Sequence, residues 1–88
     1  MFYKVKEVEP INGFCLKILF HNGEIKYYSI VHLFEKWDAF RELENNPELF
    51  RNVKVDAGGY GISWNESLDL ECNDLWEFGS SVPPEDKR

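Results

Sequence analysis

The sequence predicts an α+β fold, in which a mainly antiparallel sheet has its helices packed on one face. Three observations support this fold class. Apolar residues alternate with polar ones near the N-terminus, the apolar spacing then changes to that of a helix, and strand-like alternation returns afterwards. The expected element order is β-β-β-α-β-β-α. We assign residues 1–79 to a single domain and expect residues 80–88, which hold two prolines and four charges, to be a disordered C-terminal tail.

The first two strands follow from the spacing of apolar residues. Residues 3–9 alternate as the first strand, and a change of phase between Val5 and Val8 indicates a β-bulge or an early end. Residues 14–20 form the clearest strand, because four apolar side chains recur at a period of two. The turn between these strands contains Gly13.

The third strand is expected to complete a tight hairpin. Asn22-Gly23 suits a two-residue type I′ turn, because both residues tolerate positive φ. With this turn, Tyr27 joins the apolar core face, whereas Leu19 and Tyr28 lie on the opposite face of the sheet.

The middle of the chain predicts helices. From Ser29, a plausible N-cap, apolar residues follow the i, i+3, i+4, i+7 spacing of an amphipathic helix. The stretch is either one helix or two short helices joined at Trp37-Asp38. Pro47 is suited to the first position of a further helical turn.

The second half predicts two more strands and a short helix. Strand alternation over residues 53–56 is followed by a glycine-rich turn at 57–61 and by the strand Ile62-Ser63-Trp64. The glycine run leads into a strand and not a helix, so a hairpin turn explains it better than a phosphate-binding loop does. Asn73 or Asp74 is expected to cap the last helix, which Gly79 closes.

Composition excludes several classes of protein. Eighty-eight residues fit one small domain, and the net charge of -6 disfavours nucleic-acid and membrane-surface binding. No apolar run approaches the roughly 18 residues of a membrane span, and charges interrupt any signal-peptide pattern. Cys15 and Cys72 lack the spacing of a disulfide scaffold, which indicates reduced thiols in a cytoplasm.

The sequence contains no recognisable catalytic, cofactor or metal pattern. Cys15, Cys72, His21 and His32 match no metal-ligand spacing, and surface histidines with buried cysteines are the simpler interpretation. The chain has no threonine and no nucleophile-elbow motif. We therefore expect no enzyme, no cofactor and no metal.

Charge is distributed unevenly along the chain. Residues 42–88 hold eleven acidic and four basic residues, and five of the acids fall within residues 66–77. This pattern indicates either a solvated face or a docking patch for a basic protein partner, since complementary charge speeds encounter and rejects wrong partners. The residues predicted to bind the partner are Glu66, Asp69, Glu71 and Asp74, with Trp76 as an aromatic anchor.

Two further hypotheses remain open. One is a small ligand-binding protein or hydrolase, with a pocket between helix and sheet that uses His32 and nearby carboxylates. The other is a structural homodimer that pairs the opposite sheet face through Leu19 and Tyr28.

The order of these motifs resembles a family of small bacterial proteins, the domain of unknown function 2442. The matching segments span about residues 3–79 and are Val8-Glu9-Pro10, the hairpin from Leu16 to Glu24, Phe50-x-x-Val53-x-Val55-Asp56, Ile62-Ser63-Trp64, Asp69-Leu70 and Asp74-Leu75-Trp76. The chain departs from the family pattern after the third strand, where Ser29-Ile30-Val31 replaces an Asp that leads into the helix.

The resemblance implies an α+β fold with no established enzymatic activity. It also implies company with a second small protein in a toxin–antitoxin-type gene pair, in which the domain similar to this chain is the neutralising partner. Relatives that regulate transcription carry an added helix-turn-helix, and only nine residues follow Gly79 here, so we expect no direct operator binding.

Overall fold

The computed structural model describes residues 1–84 and confirms the α+β class and the predicted succession of strands, helices, strands and a last helix. The described residues form six strands and four α-helices: β1 (Val5–Ile11), β2 (Cys15–Phe20), β3 (Ile25–Ser29), α1 (Val31–Lys36), α2 (Arg41–Asn45), α3 (Pro47–Arg51), β4 (Lys54–Val55), β5 (Gly61–Asn65), β6 (Leu68–Glu71) and α4 (Cys72–Phe78). The strands divide into two antiparallel sheets, β1-β2-β3 and β4-β5-β6, which we call the N-terminal and C-terminal sheets. Strand β6 adds a sixth strand to the five expected.

The first hairpin has the predicted bulge. Val5 pairs with Phe20 and Glu7 pairs with Leu19, so Lys6 is the extra residue in β1. The bulge explains why the apolar phase changes between Val5 and Val8, because one inserted residue moves the following side chains to the other face.

The turn between β2 and β3 corrects the predicted assignment of the two tyrosines. Leu19 pairs with Ile25, and the Phe20 amide donates to the Glu24 carbonyl at 2.9 Å. A three-residue loop, residues 21–23, remains, in which Gly23 alone has positive φ, at 92°. The expected two-residue turn would have shifted the register by one residue, and such a shift exchanges the two faces of a strand. Tyr28 is therefore 5% exposed and in the core, whereas Tyr27 lies on the opposite face.

The amphipathic stretch is two short helices, the second of the two predicted alternatives. Trp37 is extended, with φ -131° and ψ 118°, and a 3-10 turn over Asp38–Phe40 leads into α2. Ile30, and not the predicted Ser29, is the N-cap residue of α1, which begins at Val31. Ser29 Oγ nevertheless accepts a hydrogen bond from the amide of Val31 at 3.3 Å.

One apolar core serves both sheets and the helices. One face of the N-terminal sheet contributes Leu16, Ile18 and Phe20, and the C-terminal sheet contributes Ile62 and Trp64. The helices complete the core with six further buried side chains, Leu33, Phe34, Leu43, Phe50, Cys72 and Leu75. The other face of the N-terminal sheet carries Leu19 and Tyr27, both half-buried.

Two close approaches join the second half of the chain to the N-terminal sheet. A Cβ on Gly59, in the 3-10 turn Ala57–Gly59, would lie 2.6 Å from the carbonyl oxygen of Val5, so the turn abuts β1. At the opposite side of the N-terminal sheet, Ser80 pairs with Tyr27 of the edge strand β3 through two backbone hydrogen bonds of 2.8 Å. Residues 80–84 of the predicted tail are described, while 85–88 lie outside the described residues.

We expect Gly59→Ala to destabilise the protein more than Gly23→Ala does. Both glycines have positive φ, which disfavours alanine by about 1–2 kcal/mol. A Cβ at Gly23 meets nothing within 4 Å, whereas at Gly59 it would overlap β1. The free energy of unfolding in urea should therefore fall by about 2 kcal/mol more for Gly59→Ala. Equal losses for the two variants would show that the turn does not contact β1 in solution.

Candidate functional site

Three of the predicted acids lie together on the hairpin of β5 and β6. Glu66 is in the turn, and Asp69 and Glu71 alternate along β6, so their side chains project from one face. All three side chains are exposed. We call residues 61–71 the acidic hairpin.

The side chains opposite the two strand acids are small. Glu71 faces Gly61, and Asp69 faces Ser63, whose Oγ donates a 2.6 Å hydrogen bond to Asp56 Oδ1. The other oxygen of Asp56 lies 3.2 Å from the place where a Cβ on Gly61 would be. A further carboxylate thus lies beside Glu71 on the same face of the sheet.

Asp56 is the acid that the sequence prediction of the patch missed. Val53 and Val55 are half-buried, and their alternation places Lys54 and Asp56 on the outward side. The same pattern puts Lys54 in one row with Ser63 and Asp69. Because Lys54 is on β4, two strands from β6, its Cα lies about 10 Å from that of Asp69.

Asp74 lies apart from the acidic hairpin. Burial is the main cause that raises the pKa of the Tyr28 phenol, and the Asp74 carboxylate raises it further. Asp74 is exposed in the first turn of α4, three residues after Glu71. The Tyr28 hydroxyl is 3.4 Å from Nε2 of His32. The structure thus brings Glu66, Asp69 and Glu71 together and places Asp74 on a neighbouring surface of α4.

Trp76 is half-buried and packed within the chain. Its ring stacks on Tyr3 with centroids 4.1 Å apart, and it meets Phe20 edge-on at 5.0 Å. The Lys26 ammonium lies 4.2 Å from the ring centroid and donates to the Trp76 carbonyl at 2.6 Å. Since Tyr3 covers one face of the indole and Lys26 the other, Trp76 holds α4 against the N-terminal sheet and leaves little ring surface for a partner.

Asn73 holds the N-terminal segment and not the helix that begins at Cys72. Its Oδ1 accepts from the amide of Tyr3 at 3.0 Å, and its Nδ2 donates to the Met1 carbonyl at 3.1 Å. The expected cap by Asn73 or Asp74 is wrong by a few residues, because α4 begins directly after Glu71, which makes no side-chain cap. A contact across about 70 residues has no local signal in the sequence.

The predicted dimer pair is divided between the two faces of the sheet. Tyr28 is in the core, as the three-residue turn requires, while Leu19 lies on the outward face beside Ile25, which is 40% exposed. Tyr27 shares that face. The apolar surface that a second copy could cover is therefore formed by Leu19, Ile25 and Tyr27.

Cys15 and His32 line one cavity, whereas Cys72 and His21 are not among its lining residues. Both histidines are exposed, and the cavity of about 420 Å³ beside His32 has no carboxylate among its lining residues. Both cysteines are buried free thiols, and burial raises the pKa of each. Within residues 1–84, no three His, Cys, Asp or Glu side chains are grouped to hold a metal ion.

The helices are short. The longest helix that the structure describes, α4, has seven residues, and none of the described helices can cross a bilayer core, which takes about 20 residues.

Comparison with protein families identifies the chain. The family described as Protein of unknown function (DUF2442) matches residues 5–80, which include both sheets, all four helices and the acidic hairpin. The chain belongs to the DUF2442 family. This confirms the resemblance seen in the motif order. The curated proteins and the solved structures contain no match.

We expect the pKa of Tyr28 in this DUF2442 protein to respond to Asp74. In Asp74→Asn the pKa should fall, because a nearby negative charge is lost, yet remain above that of tyrosine in the urea-unfolded chain, because burial persists. An NMR titration that follows the Tyr28 Cζ resonance against pH measures this pKa. Asp69→Asn removes the same charge from the hairpin and should leave the Tyr28 pKa unchanged. An equal fall in both variants would mean that Asp74 has no special proximity to Tyr28.

Stability should decline at alkaline pH. Burial raises the folded-state pKa of Tyr28, Cys15 and Cys72, so the unfolded chain releases these protons first as the pH rises. Their stabilising contribution is fully present below about pH 8.5 and is lost as the pH rises through the folded-state values. Urea midpoints measured from pH 7 to pH 11 should be level at first and then fall; a midpoint that rises above pH 9 would contradict the burial of these groups.

Proposed function

We propose that the protein is a binding module that docks a basic protein partner on the acidic hairpin. The observation that carries the proposal is the placement of Glu66, Asp69 and Glu71 on one exposed surface, with Asp56 beside them. No basic residue occurs between Lys54 and Lys87 in the sequence, so the acidic hairpin itself contains no basic residue.

The shape of the hairpin supports docking through charge. Its inner side is held by Ile62, Trp64 and Leu68, each at most 5% exposed, so the outward carboxylates are carried by an ordered strand pair. Ionised groups fixed on a rigid surface keep their geometry when a partner approaches, and they attract an opposite charge before contact.

The finer part of the proposal concerns the kind of partner. The family resemblance favours an antitoxin-like role in a toxin–antitoxin-type pair. An acidic surface suits such a role, because a protein that acts on nucleic acid has a basic surface that an acidic partner can cover. On this proposal the module acts by protein–protein contact and not by catalysis, in the cytoplasm.

Helix α4 carries an exposed aromatic side chain near the acids of the same helix, Asp74 and Glu77. Phe78 is 67% exposed at its C-terminal end, whereas Trp76 is engaged with Tyr3 and Lys26. Asp74 and Glu77 are exposed on the same helix, three residues apart and hence on one side. We assign Phe78, in place of Trp76, as the aromatic contact of the docking surface.

Neutralising the predicted docking acids should reduce partner binding. The variant E66Q/D69N/E71Q/D74N should capture a basic partner from native lysate at low salt about tenfold less well than the wild type does. Wild-type capture should itself fall at high salt. Mass spectrometry identifies and quantifies the captured protein.

The matched control removes four acids from the helical segment. Glu35, Glu42, Glu44 and Glu48 are all exposed there, and E35Q/E42Q/E44Q/E48Q changes the net charge by the same amount. Capture by this control should stay within about twofold of the wild type. Equal loss in the two variants would show that net charge, and not the acidic hairpin, determines binding.

A homodimer is the second candidate, favoured by the outward face of the N-terminal sheet. Leu19, Ile25 and Tyr27 lie on that face, where Ile25 is 40% exposed and Tyr27 is half-buried beside Ser80. If this face pairs with a second copy, light scattering at tens of micromolar gives twice the chain mass of 10.4 kDa, and Ile25→Lys restores the monomer. A monomeric wild type would exclude a stable dimer.

A further inference from the structure

Strand β6 is the free edge of the C-terminal sheet. It is the last strand in the order β4-β5-β6, and within residues 1–84 no backbone hydrogen bond joins it to an element other than β5. The edge at β3 differs, because Ser80 pairs there with Tyr27. An edge strand offers unpaired N–H and C=O groups to another extended chain.

The register determines which backbone groups of β6 are free. The amide of Cys72 donates to the Tyr60 carbonyl at 2.9 Å, so these opposite residues form a hydrogen-bonded pair. Such pairs alternate along an antiparallel ladder, so Leu70 bonds to Ile62, whereas Asp69 and Glu71 do not bond to β5. The carbonyl oxygen of Leu70 does point at β5, 2.5 Å from the Cβ position of Gly61.

Asp69 and Glu71 therefore present both unpaired backbone groups and charged side chains at the edge of the sheet. The N–H and C=O of Asp69 and the N–H of Glu71 point away from β5, since the Glu71 carbonyl belongs to the first turn of α4. Their exposed carboxylates stand on one face of the strand. A strand added here would place its directly opposite side chains next to those carboxylates.

We propose that β6 binds an extended segment of the partner as an added antiparallel strand, with Lys or Arg at every second residue opposite Asp69 and Glu71. This rests on the proposed function and names how the partner is recognised. Main-chain hydrogen bonds to the edge provide the binding mode, and the alternating basic side chains provide the selection. The competing explanation is that the two acids only protect the edge from pairing.

The test uses the full-length, ¹⁵N-labelled chain and a synthetic probe, acetyl-(Lys-Val)₄-amide, at low salt. Two derivatives carry the same charge. One is N-methylated on the backbone nitrogens of its lysines, which removes the donors that face β6. The other is N-methylated on its valines, which face away from β6 when the lysines lie opposite the acids.

On the proposal, the parent and the valine-methylated peptide bind, and the lysine-methylated peptide does not. The amides of Asp69 and Glu71 should also exchange with solvent about tenfold more slowly in the bound state. In the variant D69K/E71K, whose folding is checked by circular dichroism, preference should move to acetyl-(Glu-Val)₄-amide.

Two results would overturn strand addition. Equal binding of all three lysine peptides, without protection of the two amides, would show a purely electrostatic contact and leave the acidic docking surface in place. Absence of binding by the parent peptide would exclude the edge as a site for alternating basic strands. The capture experiment with the four-acid variant is independent of both, so a failure of the docking proposal is recognised separately.

Discussion

The buried indole of Trp64 ties the C-terminal sheet to the helical layer, and the position of the acidic hairpin depends on it. The ring is 5% exposed and packs between Phe40 and Phe50, while its Nε1 donates to the Phe50 carbonyl at 2.9 Å. A three-stranded sheet with a two-residue outer strand buries too little surface to be stable alone. The large apolar ring supplies burial, and its N–H satisfies a carbonyl near the end of α3 that would otherwise be unpaired in the core.

This packing separates the two sides of the hairpin. The inner side chains of β5 and β6 belong to the common core, so the outward side is left for groups that must stay hydrated. Asp69 and Glu71 are exposed there, so the fold avoids the penalty of burying an ion. The arrangement combines a rigid support with a charged surface and a free strand edge, which are the properties that the proposed docking of a basic, extended segment requires.

Local signals were sufficient for most of the fold. The phase change that predicted a bulge or an early end after Val5 is a period-two pattern, and Trp37-Asp38 was the junction in one of the two predicted helix arrangements. The α+β class, the element order and the family resemblance all came from such patterns. The candidate acids were also visible in the sequence, since a run without basic residues needs no structure to be noticed.

The exchange of Tyr27 and Tyr28 shows where local signals are insufficient. Asn22-Gly23 is compatible with a two-residue and with a three-residue turn, and the difference of one residue moves a whole strand to the other face. Which turn forms depends on which tyrosine packs better against α1 and the core. That is a comparison of tertiary contacts, and the turn residues carry no information about it.

The sequence by itself determined the fold class, the order of elements and the concentration of acid in the second half, because periodicity and charge are local properties of the chain. Only the tertiary structure decided that Asp56 joins Asp69 and Glu71, that the charge of Asp74 raises the pKa of Tyr28, and that Trp76 is covered by Tyr3 and Lys26. These contacts join residues distant in sequence, and their geometry depends on strand register and on how α4 packs across both sheets.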